Sequence, residues 1–360
     1  MVNQLPLSVI FWAVKSPIRL FNILKLYSKF RMALKRMADC KVKDGLQVPM
    51  FLIISPTSRC NLACKGCYSK QYSREEEVSL EVLDKLVTES KALGTFFYVI
   101  AGGEPLLRKE LLSLFSKHND VAFFLYTNGM LMTDEIAKEI KKLYNTAVIV
   151  SIEGFKDQTD NRRGSGVHEK VLNAMEILRQ NDIFMGFSAT VNRANLNILM
   201  KDEFFRGMIK NGCRMGTYVD YIPCDRNNDL VLTKDERTAL RDKIMEWKKI
   251  PGFILFQLPD DEHELAGRCL SAGYGFLHIT SKGYVEPCPF VHYASDNILD
   301  KPFKEILRSE FLAVLREKEA LFTEDEIGCG LFENLDQVEK IAKEYNAVST
   351  ISEVASMEVK

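Results

Sequence analysis

The chain of 360 residues contains no apolar run approaching the roughly 18 residues that a membrane span needs. Its first fourteen residues hold no Lys or Arg, and no small-residue cleavage site follows their apolar stretch, so a secretory signal is not expected. It has no internal repeat and no low-complexity segment, which removes solenoids and linkers from consideration. At 46% hydrophobic and 27% charged it is neither disordered nor collagen-like. Net charge is also nearly absent, at −1, and no nucleic-acid partner is expected. Its nine cysteines are an odd number. In a long chain with no export signal they point to a cytoplasmic protein, where cysteine clusters act as metal ligands or catalytic groups.

The near-zero net charge hides an asymmetry. Residues 1–43 carry nine Lys or Arg against the single acid Asp39, so this arm stands at +8 and the rest of the chain at −9. Ser16 and Pro17 form a helix start, and Phe21, Leu24, Tyr27, Phe30 and Leu34 follow at helical spacing. Arg19, Lys25, Lys29, Arg31, Lys35 and Arg36 surround them. Such a helix either caps the open end of a larger domain or lies in a bilayer interface, at the inner face of the membrane for a cytoplasmic protein. The arm spans residues 1–47, and residues 1–43 are expected to bind anionic membranes reversibly and to be dispensable for the fold of the domain that follows.

From residue 50 the pattern alternates between strand and helix. Strands are expected at 51–55, 96–101, 121–126, 147–152, 184–191 and 215–222, the first as a buried parallel strand, with helices between them. Six such strands imply a parallel sheet whose working loops follow the strand C-termini. A connecting helix at 233–249 leads to a β-hairpin at 276–286, short helices, and a last dozen residues expected to fray.

Chemistry gathers after the first strand. Cys60, Cys64 and Cys67 lie within eight residues. Thiolates select zinc, copper(I) or iron–sulfur clusters. A structural zinc site wants four ligands, and the next histidine is His118. Three thiolates suit three irons of a cubane and leave the fourth open.

This C-x-x-x-C-x-x-C run resembles the hallmark of the radical S-adenosylmethionine superfamily. Gly102-Gly103-Glu104-Pro105, Thr127-Asn128-Gly129 and Ser151-Ile152-Glu153-Gly154 follow strands two, three and four, and Arg163 lies twelve residues after Ser151. The resemblance covers about residues 48–225. It implies a partial (β/α)6 TIM-like barrel over 48–232 and a 4Fe–4S cluster on Cys60, Cys64 and Cys67. It implies that Gly102, Gly103 and Glu104 receive the methionyl amine, that Ser151 or Glu153 bonds the ribose, and that Arg163 bonds the carboxylate. The cofactor is cleaved reductively to a 5′-deoxyadenosyl radical, which abstracts hydrogen from a substrate. Many members carry an aromatic residue where Gly66 stands. Tyr68 offers a substitute ring, unless Gly66 serves through its backbone alone.

Cys269, Gly283 and Cys288 match the C-x9–15-G-x4-C opening of SPASM and twitch auxiliary-cluster domains, with Cys329 downstream. A full SPASM domain would need about seven cysteines. Residues 233–360 are therefore expected to form a connecting helix and a twitch-like domain with one auxiliary 4Fe–4S cluster on Cys269, Cys288 and Cys329. His292 is a weak candidate for its fourth ligand. Cys40, Cys213 and Cys224 have no cluster spacing and read as structural. The resemblance implies a peptide or protein substrate, with a lipid or membrane-associated molecule as runner-up, and a reductant such as ferredoxin or flavodoxin. The competing class is a non-catalytic electron-transfer protein, which needs neither the Gly-Gly-Glu element nor Arg163.

Overall fold

The structure is a computed structural model that describes residues 5–224, 227–322 and 328–351. The expected fraying beyond residue 351 lies outside the described residues. Strands β1 (Phe51–Ile54), β2 (Phe97–Ile100), β3 (Ala122–Thr127), β4 (Thr146–Ser151), β5 (Met185–Val191) and β6 (Met215–Asp220) are parallel neighbours in chain order. The helices are α1 (Leu7–Ala13), α2 (Pro17–Asp44), α3 (Leu80–Leu93), α4 (Leu111–Lys117), α5 (Asp134–Lys141), α6 (Lys156–Arg163) and α7 (Val167–Gln180). Local chemistry sets several boundaries. The Ser16, Ser79 and Thr133 hydroxyls accept from Arg19, Val82 and Ile136 backbone N–H groups, capping α2, α3 and α5. Gly45, with φ +66°, closes α2.

Six parallel strands are too few. β7 (Ile254–Leu258) adds parallel to β6, and β8 (Phe276–Ile279), the first strand of the expected hairpin, adds parallel to β1. β9 (Val285–Glu286) pairs antiparallel to β8. The hairpin joins the barrel because β1 would otherwise leave a row of unpaired backbone groups. β7 and β9 are the sheet edges and do not meet, so the curled sheet is a half-barrel. A separate pair, β10 (Tyr293–Ala294) and β11 (Val348–Ser349), lies in the C-terminal region.

The strands are not buried on both faces. Leu52, Ile54, Tyr98, Ile100, Phe123 and Leu125 are sealed in the main core, whereas Phe51, Ile53, Val99, Phe124 and Tyr126 are half-buried. Side chains alternate across a strand, and the second set lines the lumen of an unclosed barrel.

The arm is a plug. Trp12, Ala13 and Ile23 pack with Ile149, Phe184 and Met215, beside Ala147 and Ile254. Four of these partners, Ala147, Phe184, Met215 and Ile254, sit at or just before strand N-terminal ends, so the arm closes the end of the barrel opposite the working loops. Arg19 lies over the Trp12 ring at 4.3 Å and pairs with Asp182 at 2.7 Å. Phe30 meets Phe96 and Phe97 at 5.0 and 5.5 Å. The arm therefore packs into the core, an arrangement that argues against its being dispensable for the fold.

Candidate active site

The loop after β1 is held from three sides. Gly103 N–H donates to the Thr57 carbonyl and Glu104 N–H to that of Arg59, each at 2.9 Å. A Cβ on Gly103 would lie 2.0 Å from the Arg59 carbonyl oxygen, and one on Gly102 would lie 2.6 Å from that of Thr57. Only glycine permits this approach. Glu77 holds the same segment from the other side, accepting from Arg59 Nε and Nη2 at 2.7 and 2.9 Å and from the Thr57 hydroxyl. The third tie is α6, whose Arg162 carbonyl accepts from Lys65 N–H at 2.9 Å. All eight residues of α6 are polar, so no apolar period announces this helix in the sequence.

Cys60, Cys64 and Cys67 form no disulfide and lie close enough for their charges to interact. Burial pushes the Cys60 and Cys64 thiols up, while Arg163 and Arg162 pull Cys64 back. Asn128, from the loop after β3, turns its amide to Cys60 Sγ at 3.7 Å. Gly66 has φ +64°, so the turn between Cys64 and Cys67 favours glycine.

Glu104 is fully buried and accepts from Leu106 N–H, the Thr127 hydroxyl and Asn128 N–H at 3.0, 2.8 and 2.7 Å. Burial raises its pKa while these donors oppose the rise. The carboxylate braces the loops after β2 and β3, and three donors leave one of its four acceptor positions unused.

Two expected roles change. Glu153 is not available to a ribose: it is fully buried, with Oε1 accepting from Arg162 Nη1 at 2.6 Å and Arg163 Nε at 2.9 Å, and Oε2 from Thr190 N–H at 3.0 Å. Burial would push its pKa up, but the two guanidiniums hold it below the ordinary carboxylate range. Glu153 orients Arg163, whose charge also reaches Cys64 and Cys67. Ser151, half-buried and in register with Ser188 on the lumen face, is the accessible hydroxyl. Tyr68 is not a free aromatic platform. Its ring packs edge-on against Phe290 and His278, at 5.8 and 6.3 Å, and its hydroxyl accepts from Gly102 N–H at 3.2 Å.

Behind Tyr68 lies a buried polar chain that sequence reasoning missed. The Ser55 hydroxyl is 2.8 Å from His278 Nε2, and His278 Nδ1 is 2.6 Å from Glu286 Oε2. A carboxylate only accepts, so Nδ1 carries the proton. The Tyr72 hydroxyl bonds Glu286 at 2.7 Å and His292 Nδ1 at 2.8 Å. Despite burial, the bonds from His278 and His292 hold Glu286 at a pKa of about 2. A histidine inside an apolar strand was the available signal.

Cys269, Cys288 and Cys329 also come within electrostatic reach of one another, and Glu262 stands with them, accepting from Leu270 N–H at 2.8 Å. Burial pushes the Cys269 and Cys288 thiols well up. His292 is tied through Nδ1 to Tyr72. Cys213 is in the core, Cys40 packs on it, and Cys224 is buried, in keeping with structural thiols. Among the described residues, no three His, Cys, Asp or Glu side chains converge on a single metal ion. Two trios of soft donors, each within electrostatic reach of its own members, suit iron–sulfur clusters by ligand type. Their neutral thiols would lose protons on binding iron.

Comparison with known proteins agrees. Residues 54–194 match the model of the Radical SAM superfamily, and residues 269–328 match SPASM, an iron–sulfur cluster-binding domain. The chain is 26% identical to the AdoMet-dependent heme synthase of Methanosarcina barkeri, across 76% of this chain and 86% of that one. It is 24% identical to the PqqA peptide cyclase of Bradyrhizobium diazoefficiens, across 76% and 74%. Its fold matches that of Streptococcus suis SuiB bound to precursor peptide SuiA, with TM-score 0.64, 16% identity and coverage of 84% and 74%. The chain thus carries a radical SAM domain followed by a SPASM iron–sulfur domain, the pair of domains of an enzyme that uses a 4Fe–4S cluster and S-adenosylmethionine, with further iron–sulfur cluster binding in the SPASM part.

Proposed function

We propose that Cys60, Cys64 and Cys67 hold the cluster that binds S-adenosylmethionine, that Cys269, Cys288 and Cys329 hold one auxiliary cluster, and that the enzyme modifies a peptide. The cluster and cofactor together supply a 5′-deoxyadenosyl radical that takes hydrogen from a substrate. The chain supplies the rest. Arg163, aligned by Glu153, meets the cofactor carboxylate, a charge-assisted contact. The glycine backbone and Glu104 receive the amine, and Ser151 reaches a ribose hydroxyl. The sealed strand N-termini keep water from entering the lumen from below. A ferredoxin or flavodoxin is the proposed reductant.

The observation that carries the peptide reading is the lumen itself. Tyr126, Ser151, Ser188 and Thr190 line a half-buried inner wall, and Phe256, 41% exposed, continues it on the unclosed edge strand β7. A chain entering from the open side would meet this wall. The peptide cyclase relative and the peptide-bound fold neighbour support this. A second reading, a tetrapyrrole-sized molecule, is favoured by the heme synthase relative.

The test is anaerobic turnover of the reconstituted enzyme with S-adenosylmethionine, dithionite and either a short peptide encoded beside its gene or an iron porphyrin precursor. Peptide-dependent 5′-deoxyadenosine together with a peptide mass change supports the proposal. A change in the porphyrin spectrum, with the peptide untouched, would favour the second reading.

A further inference from the structure

We infer that the outer face of the N-terminal arm docks this enzyme on an anionic lipid surface and points the barrel mouth away from it. The inference starts from α1. Its sequence, Leu-Ser-Val-Ile-Phe-Trp-Ala, has one polar residue, Ser8, and that residue is buried. A helix apolar all round is ordinarily covered all round. Here the barrel covers the side bearing Ser8, Val9, Trp12 and Ala13, and beyond it only an edge of the half-exposed Phe11 ring lies beside Gly252.

The uncovered side continues through the turn into α2. Leu7, Phe11, Val14, Ile18, Phe21 and Leu24 recur every three or four residues, and each is between 51% and 69% exposed. Scattered exposed apolar residues are ordinary on a soluble protein, but a row at helical spacing marks an interaction surface. α2 shows the division of labour: Ile23, Phe30 and Ala33 anchor it to the barrel while Ile18, Phe21 and Leu24 are left out. The stripe is thus presented on a fixed support.

Charge selects the occupant. Lys15, Lys25, Arg31 and Lys35 are exposed on the same two-helix arm, and Asp39 is its only acid up to residue 43. The rest of the chain, at −9, is repelled by an anionic surface, which orients the molecule arm-first. A second copy suits this face less well. Two-fold pairing through it would bring two basic arms together, and like charges oppose that contact. No described helix is long and apolar enough to cross a membrane, so the contact is peripheral.

The arm plugs the strand N-termini, and the cysteine loops follow the C-termini. A six-residue strand separates these ends by roughly 20 Å. A docked molecule therefore opens its mouth to water, which agrees with a peptide arriving in solution and not with a lipid drawn from the bilayer beneath.

Vesicle flotation of the full-length protein, without cofactor or reductant, tests this independently of the enzyme's substrate. The probes are phosphatidylcholine vesicles with and without phosphatidylglycerol. Flotation should require the anionic lipid and fall with salt. Lys15→Gln and Lys25→Gln should each weaken it about fivefold. The triple variant Phe11→Ser, Ile18→Ser, Phe21→Ser should abolish it with an unchanged circular dichroism spectrum. If that variant misfolds, the lysine variants alone decide. No flotation, flotation indifferent to lipid charge and to both lysines, or a concentration-dependent dimer abolished by the triple variant in place of flotation would each overturn the inference. The last result would make the face a contact between copies.

Discussion

Glu153 shows how a residue can be found by motif and still be given the wrong task. The motif marks the end of β4, but only the fold shows that Arg162 and Arg163 return from α6 to clamp its carboxylate. Glu153→Gln leaves two nearly buried guanidiniums without their counter-charge. It should destabilise the protein by about 3 kcal/mol in denaturant unfolding and weaken cofactor binding through a misdirected Arg163. The sign with pH follows from the depressed carboxyl. Its contribution is complete above the unfolded value of about 4.3 and is lost as pH falls through the lower folded value. Acidification below about pH 4 should therefore cost wild type more stability than the variant. Equal acid sensitivity of the two would show that the clamp is weak. Gly103 gives a sharper steric test. Gly103→Ala drives a methyl into the Arg59 carbonyl beside Cys60, so iron bound after reconstitution should fall to half while the auxiliary site stays filled.

The arm helices separate two kinds of apolar residue that composition and period treat alike. Phe21 and Phe30 both belong to the stripe read from the sequence, yet Phe30 is 7% exposed and Phe21 69%. Phe30→Ala should cost about 3–5 kcal/mol in thermal or denaturant unfolding, whereas Phe21→Ala should change it by less than about 0.5. Deleting residues 1–44 would uncover Phe96, Phe97, Ile149, Phe184 and Met215. The truncated chain should appear in the insoluble fraction, and a soluble, cooperatively melting product would refute the plug. The boundaries of α2, α3 and α5 were legible because capping side chains act within four residues of themselves. α6 was not, since its place is set by Glu153 and by the cysteine loop and not by a buried stripe.

Across the whole molecule, the two cysteine trios should bind about eight irons, four per cluster. Changing Cys60, Cys64 and Cys67 together to Ala should halve the iron and abolish 5′-deoxyadenosine formation. Undiminished product would place the cofactor elsewhere. Changing Cys269, Cys288 and Cys329 to Ala should remove the other half and leave cofactor cleavage in place but slower. The slowing follows from the sheet: β8 is bonded to β1, and the His278–Glu286 pair links Tyr68 to the strand leading to Cys288. Retention of both clusters in that variant would make these three ordinary thiols.

The sequence by itself determined the chemistry. The spacing of Cys60, Cys64 and Cys67, the glycine pair and the strand–helix alternation are local features, because these three thiolates and the turns beside one strand each lie within a few residues. It also determined that the arm is a basic helix starting at Ser16 and Pro17. Tertiary structure decided what depends on partners distant in the chain. It recruited β7 and β8 to the edges of the sheet, where open backbone groups had to be paired. It buried Glu153, and packed Tyr68, against neighbours that no spacing rule connects to them. It divided the arm into a face that plugs the barrel and a face left open, since burial is fixed by what packs against a side chain and not by the side chain alone.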